Sequence, residues 1–218
     1  MKLTLIEQVA IIRRESADYP PSLVTTADDG IHTDFWVAGP TELLKRPKIG
    51  FFCSSQCPGS IILKTFDAIT QMRDEGQILI GGFHSVMEWE CLVILLRGRQ
   101  PVIWVPARSI VGMRLKPTLQ SAFKDGRLLI LSPFVPTPAH SRVTAGLAEQ
   151  RNRFVASLAD RVFIPHAAPG GRTLALCNEL QQAGKRILTV ADRSNGSLES
   201  LSPEYLGQGS IPVSGGGG

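Results

Sequence analysis

Residues 48–81 read KIGFFCSSQCPGSIILKTFDAITQMRDEGQILIG, and this stretch decides the fold. It opens with a short apolar run at 48–54, long enough for a buried strand, and closes with a second apolar run at 77–81. Between them, apolar residues recur at helical spacing over 60–75. Gly76 then follows the helix as a C-terminal glycine does. A strand, a helix, a glycine and a strand in this order are typical of a parallel βαβ unit.

The same unit repeats along the chain, so that buried strands alternate with helices. Further strands are predicted at 101–106, 127–132, 161–165 and 186–190, and further helices at 85–97, 117–124, 144–159 and 173–183. Strands that are apolar throughout belong to a parallel sheet with helices on both of its faces. We therefore predict an α/β fold with a Rossmann-like, doubly wound and mainly parallel sheet.

The predicted domain organisation places this sheet in a Rossmann domain at 46–192. Residues 1–45 are predicted to be a lead-in packed on the core, with a short helix over 1–16 because apolar residues there fall at helical spacing. Residues 193–218 are rich in Ser, Gly and Pro and end in SGGGG, which predicts a flexible tail.

Composition limits the class of protein. With 218 residues and 43% hydrophobic residues the chain can build a core, and the net charge of +4 permits an anionic partner without requiring one. Four irregularly spaced cysteines without a C-x-x-C pair indicate reduced thiols in a cytoplasm and no metal site. The chain carries no signal-peptide pattern and no apolar run of about 20 residues, so we expect neither secretion nor a membrane span.

The carboxyl ends of the predicted strands select the loops in which a ligand can bind, since doubly wound sheets bind ligands at that edge. The five loops are 54–60, 81–85, 106–114, 132–143 and 165–173.

The first loop contains Ser54, Ser55 and Gln56 at a strand-to-helix junction, where backbone N–H groups and the helix end attract anions. It matches neither G-x-G-x-x-G nor a Walker loop, so no dinucleotide cofactor is expected. The alternative interpretation is an ordinary βα turn with Ser60 as the helix N-cap.

The second loop contains Gly81, Gly82, His84 and Ser85. Paired glycines at a strand end allow a ligand to approach the backbone closely, and His84 can contact a phosphate or a base. The alternative is structural, because Ser85 and Glu88 have the spacing of a capping box.

The fifth loop contains Gly170, Gly171, Arg172 and Thr173. Its glycine amides can point at an anion, Arg172 supplies charge, and Thr173 is a possible helix cap. The alternative is a tight turn that requires glycine for its conformation.

The helix before that loop carries Arg151 and Arg153, which cannot both face the core because they are two residues apart. Guanidinium groups match phosphate oxygens, which makes both residues candidates for the same cleft. The alternative is a solvated helix face. No Ser/His/Asp set, Cys/His set or carboxylate pair is visible, which favours binding over catalysis.

From about residue 19 to residue 192 the sequence resembles the DprA family (also called Smf), the DNA-processing proteins of natural transformation. Tyr19-Pro20 with Leu23 resembles the opening YP..L segment of the family, and 35–44 is similar to its short strand and Leu-Leu lead-in. The strand at 48–55 matches the position of VGSR, and 81–83 matches SGxAxGID. The most specific match is 151–158, RNRFVASL, which resembles RNRIIAxL, and 160–173 matches the strand and Gly-rich turn that follow.

This resemblance implies an extended Rossmann-like domain that binds single-stranded DNA, forms homodimers and helps to load the recombinase RecA. It implies phosphates in a basic pocket near the matched loops, with Arg151 and Arg153 as structural or phosphate-facing residues and Gly170-Gly171 as the cradle. The sequence departs from the family at Ser55, where VGSR has Arg, and at Met87, where SGxAxGID has Asp. These departures indicate a divergent relative whose pocket is less basic.

A second resemblance concerns the LOG-type phosphoribohydrolases, whose signature is PGGxGTxxE. Pro169–Thr173 keep PGG and Thr but lack the second glycine step, and Glu179 lies too late to match the catalytic Glu. This leaves nucleotide binding open and argues against hydrolysis. The first hypothesis is therefore DprA-like binding of single-stranded DNA, with Phe83 and Phe134 available to stack on bases if they do not pack in the core. The alternative is a nucleotide-binding sensor or a LOG-like nucleotide hydrolase.

Overall fold

Nine strands form one sheet in the part of the chain that the computed structural model describes, residues 3–5, 8–24 and 34–206. The strands are β1 (Ala10–Ile12), β2 (Phe35–Ala38), β3 (Ile49–Phe51), β4 (Leu79–Gly81), β5 (Val102–Trp104), β6 (Leu128–Ser132), β7 (Arg161–Phe163), β8 (Ile187–Thr189) and β9 (Glu204–Tyr205). The helices are α1 (Pro21–Val24), α2 (Gly59–Asp74), α3 (Val86–Leu96), α4 (Pro117–Lys124), α5 (Ala145–Leu158), α6 (Arg172–Gln182) and α7 (Gly196–Glu199).

The sheet has the order β1-β2-β6-β5-β4-β3-β7-β8-β9. Across the sheet, all neighbouring strands from β6 through β5, β4, β3, β7 and β8 to β9 are parallel. The pairs β1–β2 and β2–β6 at the other end of the sheet are antiparallel. The chain winds from β3 outward to β6 and then returns to add β7 on the other side of β3, so the winding direction reverses between β3 and β7. The predicted Rossmann-like, mainly parallel fold is confirmed, and each strand and helix predicted between 48 and 190 is present.

Two groups of buried side chains cover the two faces of the sheet, because successive residues of a strand point to opposite faces. Ile80 and Ile103 belong to the group that packs against α1, α5, α6 and α7. Leu79 and Val102 belong to the group that packs against α2, α3 and α4. The structure therefore has helices on both faces of the sheet, as the apolar strands predict.

The lead-in differs from the prediction. The expected helix over 1–16 is wrong, because Ala10–Ile12 form β1 and pair with β2. Ile12 is buried at 6% exposure, whereas Ala10 and Ile11 are exposed. Pairing with β2 satisfies the backbone groups of this segment and overrides its helical spacing. Residues 1–2, 6–7 and 25–33 lie outside the described residues.

The first part of the expected flexible tail also differs. Residues 193–195 form a 3-10 turn capped by Asp192, α7 follows, and β9 pairs with β8 in parallel. Residues 207–218 lie outside the described residues. In the described ranges, no helix combines the length and the apolarity that crossing a membrane requires.

Truncation of Phe163 to alanine is expected to lower the free energy of unfolding by about 3–5 kcal/mol. Phe163 is fully buried, and its ring stacks on that of Phe51 with 5.7 Å between centroids. Urea denaturation measures the change. The control, Leu63→Ala, lies on an exposed face of α2 and should change stability by less than about 0.5 kcal/mol. Equal losses in the two variants would contradict this account of the core.

Candidate functional site

A cavity of about 420 Å³ opens at the carboxyl ends of β4 and β5. We call it the carboxyl-edge cleft. It is lined by Gly82, Phe83, His84, Ser85, Val86, Trp89, Trp104, Pro106, Ala107, Arg108, Met113, Arg114, Lys116, Val143 and Arg151. The loop after β4, the loop after β5 and the first turn of α3 supply most of this lining, which places the cleft at the edge where such sheets bind ligands.

The lining of the cleft is basic. Arg108, Arg114 and Lys116 come from the loop that follows β5, and Arg114 and Lys116 are exposed. None of the lining residues, all of which the structure describes, is acidic. A concave surface with charge of one sign concentrates ions of the opposite sign, so the cleft attracts anions.

Two tryptophans give the cleft aromatic walls. The Lys116 ammonium lies 3.8 Å from the centroid of the Trp89 ring, which is a cation–π contact. The Trp104 indole N–H donates a hydrogen bond of 3.0 Å to the carbonyl of Gly82, which holds the ring at the end of β5. Both rings are only partly buried, which leaves ring surface on which a planar group can stack.

The floor of the cleft is formed by the buried guanidinium of Arg151, which is 4% exposed. Its Nη1 donates to the carbonyl of Val105 at 2.9 Å, and its Nε donates to Oδ1 of Asn152 at 2.8 Å. The guanidinium covers Gly82 so closely that a Cβ at that position would occupy the space of Nη1 and Cζ. Burial lowers the pKa of Arg151, and Glu88 opposes this shift. Glycine at 82 is therefore required by the arginine.

Glu88 in α3 provides the negative charge for this buried arginine. Its Oε2 accepts from the backbone N–H groups of His84 at 2.8 Å and Ser85 at 3.2 Å, and its Oε1 accepts from that of Cys53 at 3.1 Å. The Ser85 hydroxyl accepts from the N–H of Glu88, so the capping-box interpretation of this pair is confirmed. Glu88 thereby joins the loops after β3 and β4 without lining the cleft.

Ser54 joins the first and fifth loops at the point where the winding reverses. Its N–H donates to the carbonyl of His166 at 3.1 Å, and its hydroxyl accepts from the N–H of Ala168 at 2.9 Å. Ser55 and Gln56 follow it on the exposed surface. In the alternative interpretation of this loop, the N-cap role of Ser60 is wrong, because α2 begins at Gly59 with Pro58 at the cap position.

The fifth loop ends at the start of α6. Gly170 has a φ of +67°, and Gly171 is the N-cap residue. Thr173 lies inside the helix, so its expected capping role is wrong. Arg172 pairs with Glu149 at 3.0 Å and is directed toward α5.

Arg153 lies apart from Arg151. Its Nε and Nη2 donate to the two carboxylate oxygens of Glu179 at 3.0 and 2.9 Å. Arg153 and Arg172 line the groove between α5 and α6, and each faces a glutamate. Of the residues predicted from the sequence, the carboxyl-edge cleft thus gathers Gly82, His84, Ser85 and Arg151, and Gly81 lies beside it at the end of β4. Arg153 and Arg172 lie instead in the groove between α5 and α6.

The sequence predicted the loop 106–114 as a ligand-binding loop from its position after a strand, but no residue in this loop was predicted to bind. A sequence pattern that could have identified these residues exists: three cations, Arg108, Arg114 and Lys116, lie within nine residues. They follow β5, a strand that ends in Trp104. Phe83 and Phe134, which were considered for base stacking, are both buried, so the alternative of core packing is confirmed.

The comparisons with known proteins bear on the fold. No protein-family model matches the chain, and no curated protein is similar to it. The structure of DNA processing protein A (DprA) from Streptococcus pneumoniae matches with a TM-score of 0.71 and 17% identity over 90% of this chain and 68% of that chain. A DprA structure from Helicobacter pylori, described for its mode of binding single-stranded DNA, matches with a TM-score of 0.70 and 18% identity over 92% and 89%.

The chain therefore has the fold of DprA, and the resemblance stated from the sequence is confirmed at this level. The molybdenum cofactor carrier protein of Chlamydomonas reinhardtii matches with a TM-score of 0.46 and 14% identity over 72% of this chain and 83% of that chain, too distant a likeness to carry an argument.

Gly82→Ala is expected to lower the free energy of unfolding by about 2–4 kcal/mol, because the new methyl group displaces the Arg151 guanidinium from Val105 and leaves a buried charge without its hydrogen bond. Chemical denaturation measures this loss. Gly146→Ala in α5 is the control, since a Cβ there meets nothing within 4 Å and alanine favours a helix.

A double-mutant cycle identifies the cause. In Gly82→Ala/Arg151→Ala the methyl group has no guanidinium to displace, so the double variant should lose less stability than the sum of the single variants. Strict additivity would show that Gly82 and Arg151 do not depend on each other.

Proposed function

We propose that this protein binds single-stranded DNA in the carboxyl-edge cleft. The observation that carries the proposal is the acid-free lining that combines three cations, Arg108, Arg114 and Lys116, with two partly exposed tryptophans. Cations that follow the backbone and aromatic rings that stack on bases are the two elements with which proteins hold single strands. The DprA fold supports this proposal, because one of the matched DprA proteins is described as binding single-stranded DNA.

The residues expected from the sequence receive roles within this proposal. His84 and Ser85 supply polar contacts at the rim. Gly81 and Gly82 do not open the backbone to a ligand, because the Arg151 guanidinium fills the space over Gly82, and the carbonyl of Phe51 and the ring of Phe83 fill the space over Gly81. Arg151 positions the floor rather than contacting phosphate, because its guanidinium is buried and hydrogen-bonded.

A secondary contact region is proposed beside the cleft on the same edge of the sheet. It comprises Ser54, Ser55 and Gln56 after β3 and Gly170, Gly171, Arg172 and Thr173 after β7. Arg153 borders it, although Glu179 neutralises the charge of Arg153.

The cellular role is inferred from the family resemblance. We infer a function in DNA uptake or recombination in the cytoplasm, as a homodimer with a recombinase as partner. The four free cysteines are consistent with a reducing compartment.

The alternative is a nucleotide-binding sensor. The cleft volume of about 420 Å³ falls in the range of roughly 300–1,000 Å³ typical of small-molecule sites, and the same cations and tryptophans suit a mononucleotide. Hydrolysis of the LOG type has less support, since Glu179 is held in an ion pair with Arg153 and the cleft lining contains no acid.

Arg114→Ala is expected to weaken binding of a fluorescently labelled oligothymidylate and to reduce the slope of log affinity against log salt by about 0.7, the contribution of one phosphate contact on a single strand. Fluorescence anisotropy at four salt concentrations measures both quantities. Lys124→Ala is the matched control, because Lys124 is exposed at the end of α4 and does not line the cleft.

Two results would reject the proposal. One is an unchanged salt slope in Arg114→Ala. The other is undetectable oligonucleotide binding at low salt together with a rise in melting temperature on addition of a mononucleotide, which would favour the alternative.

Trp104→Leu is expected to weaken oligonucleotide binding by about 1–3 kcal/mol while leaving the salt slope unchanged, because stacking involves no counterion release. The same anisotropy titrations give both values. Trp36→Leu serves as the control, since Trp36 lies in β2 and does not line the cleft. Equal effects of the two substitutions would remove Trp104 from the site.

A further inference from the structure

A second basic cavity lies at the opposite edge of the sheet, at the amino ends of β3, β4 and β7. We call it the amino-edge cavity. Its volume is about 250 Å³, and it is lined by Arg46, Pro47, Lys48, Ile49, Gly76, Gln77, Ile78, Asp160 and Arg161. The rule that places ligands at the carboxyl ends of parallel strands does not account for it.

Lys48 is the central feature of this cavity. Its side chain is 6% exposed, and within the described ranges its ammonium makes no hydrogen bond. Oδ2 of Asp160 lies 3.9 Å from Nζ, beyond hydrogen-bond distance, and that oxygen already accepts from the backbone N–H of Lys48 at 2.8 Å. Burial lowers the pKa of Lys48, and Asp160 opposes the shift. The ammonium lines the cavity with its N–H donors open to groups that enter it, so an anionic oxygen there would gain a charge-assisted hydrogen bond.

Two arginines line the same cavity as Lys48. Arg46 is exposed at the mouth, and Nη2 of Arg161 is 3.4 Å from Oε1 of Gln77, a weak contact that leaves most of its donors available. Asp160 is the single acidic residue of the lining, and its side chain is 60% exposed to solvent. The described lining thus holds three cations and one carboxylate, and this excess of positive charge attracts an anion.

We propose that the amino-edge cavity binds a phosphoryl group, with Lys48 at its base and Arg46 and Arg161 on its outer oxygens. Three cations, two from the segment before β3 and one from the start of β7, match the several oxygens of a phosphate better than the two oxygens of a carboxylate. The volume lies below the range of roughly 300–1,000 Å³ for drug-sized ligands, which favours a small anion or the phosphate end of a larger molecule.

Titration of the ¹⁵N-labelled protein with inorganic phosphate at constant ionic strength, followed by NMR, tests the site directly. The backbone amides of Gly76, Gln77 and Asp160 should shift with one saturating curve, and matched chloride should leave them unchanged. Shifts confined to the carboxyl-edge cleft, or no saturable shift, would overturn the proposal.

Substitutions identify the groups that bind. Lys48→Met keeps an apolar chain of similar length and should weaken phosphate binding about tenfold, and Arg46→Ala about threefold, since each loses a charge-assisted contact. Arg46 is exposed, so Arg46→Ala keeps the test valid if Lys48→Met folds poorly. Lys124→Ala is the control of equal charge. Unchanged affinity in both cavity variants would overturn the proposal.

The phosphoryl group can belong to a free phosphate or nucleotide, or to the backbone of a nucleic acid. Phosphate and an oligothymidylate are therefore each titrated into Arg46→Ala and Arg114→Ala. If Arg46→Ala loses affinity for both ligands, the site binds the phosphate backbone of a nucleic acid. If it loses affinity for phosphate alone, the site binds a small phosphate ligand. Both results support the site. Since Arg114 lines the carboxyl-edge cleft and not the amino-edge cavity, failure of the proposed DNA binding would appear in Arg114→Ala and would leave this inference intact.

Discussion

The buried guanidinium of Arg151 is the interaction on which the carboxyl edge of the sheet depends. It reaches from α5 over Gly82 to the carbonyl of Val105, so one side chain ties a helix to the ends of two strands. A buried charge needs a nearby opposite charge, which Glu88 supplies. Because Glu88 also accepts from backbone N–H groups after β3 and β4, the charges that stabilise the floor also hold the loops around it.

This arrangement explains why the cleft is basic although the chain as a whole is only mildly so. The carboxylate of Glu88 accepts hydrogen bonds from backbone N–H groups and does not line the cleft. The cations of the loop after β5 therefore face the cavity without acidic neighbours in its lining. Arg153 and Arg172, in contrast, face Glu179 and Glu149 across the α5–α6 groove. The distribution of carboxylates therefore separates available cations from neutralised ones. At the amino edge, Asp160 lies 3.9 Å from the ammonium of Lys48, so it pairs with this charge without taking one of its hydrogen bonds.

Much of the fold could be predicted from local pattern, because apolar runs and helical periodicity are properties of adjacent residues. The elements between β3 and β8 were predicted within a few residues, and Ser85 with Glu88 was correctly interpreted as a capping box. β1 and β9 were not predicted, because the apolar residues of β1 also fit helical spacing and β9 is only two residues long, too short to give a strand pattern. Of the candidate site residues, Arg151 and Arg153 looked equivalent in sequence. Only the packing of α5 decided that one is buried at the cleft and the other pairs with α6.

By itself the sequence determined the class of fold, the edge of the sheet to examine and the resemblance to DprA. These follow from periodicity, from the order of strands and helices, and from a short motif, all of which are local. The tertiary structure alone decided which cations remain without a carboxylate, that two tryptophans from different segments line one cleft, and that a lysine is buried at the opposite edge. Charge neutralisation and burial depend on distances between residues far apart in the chain, and folding is what sets those distances.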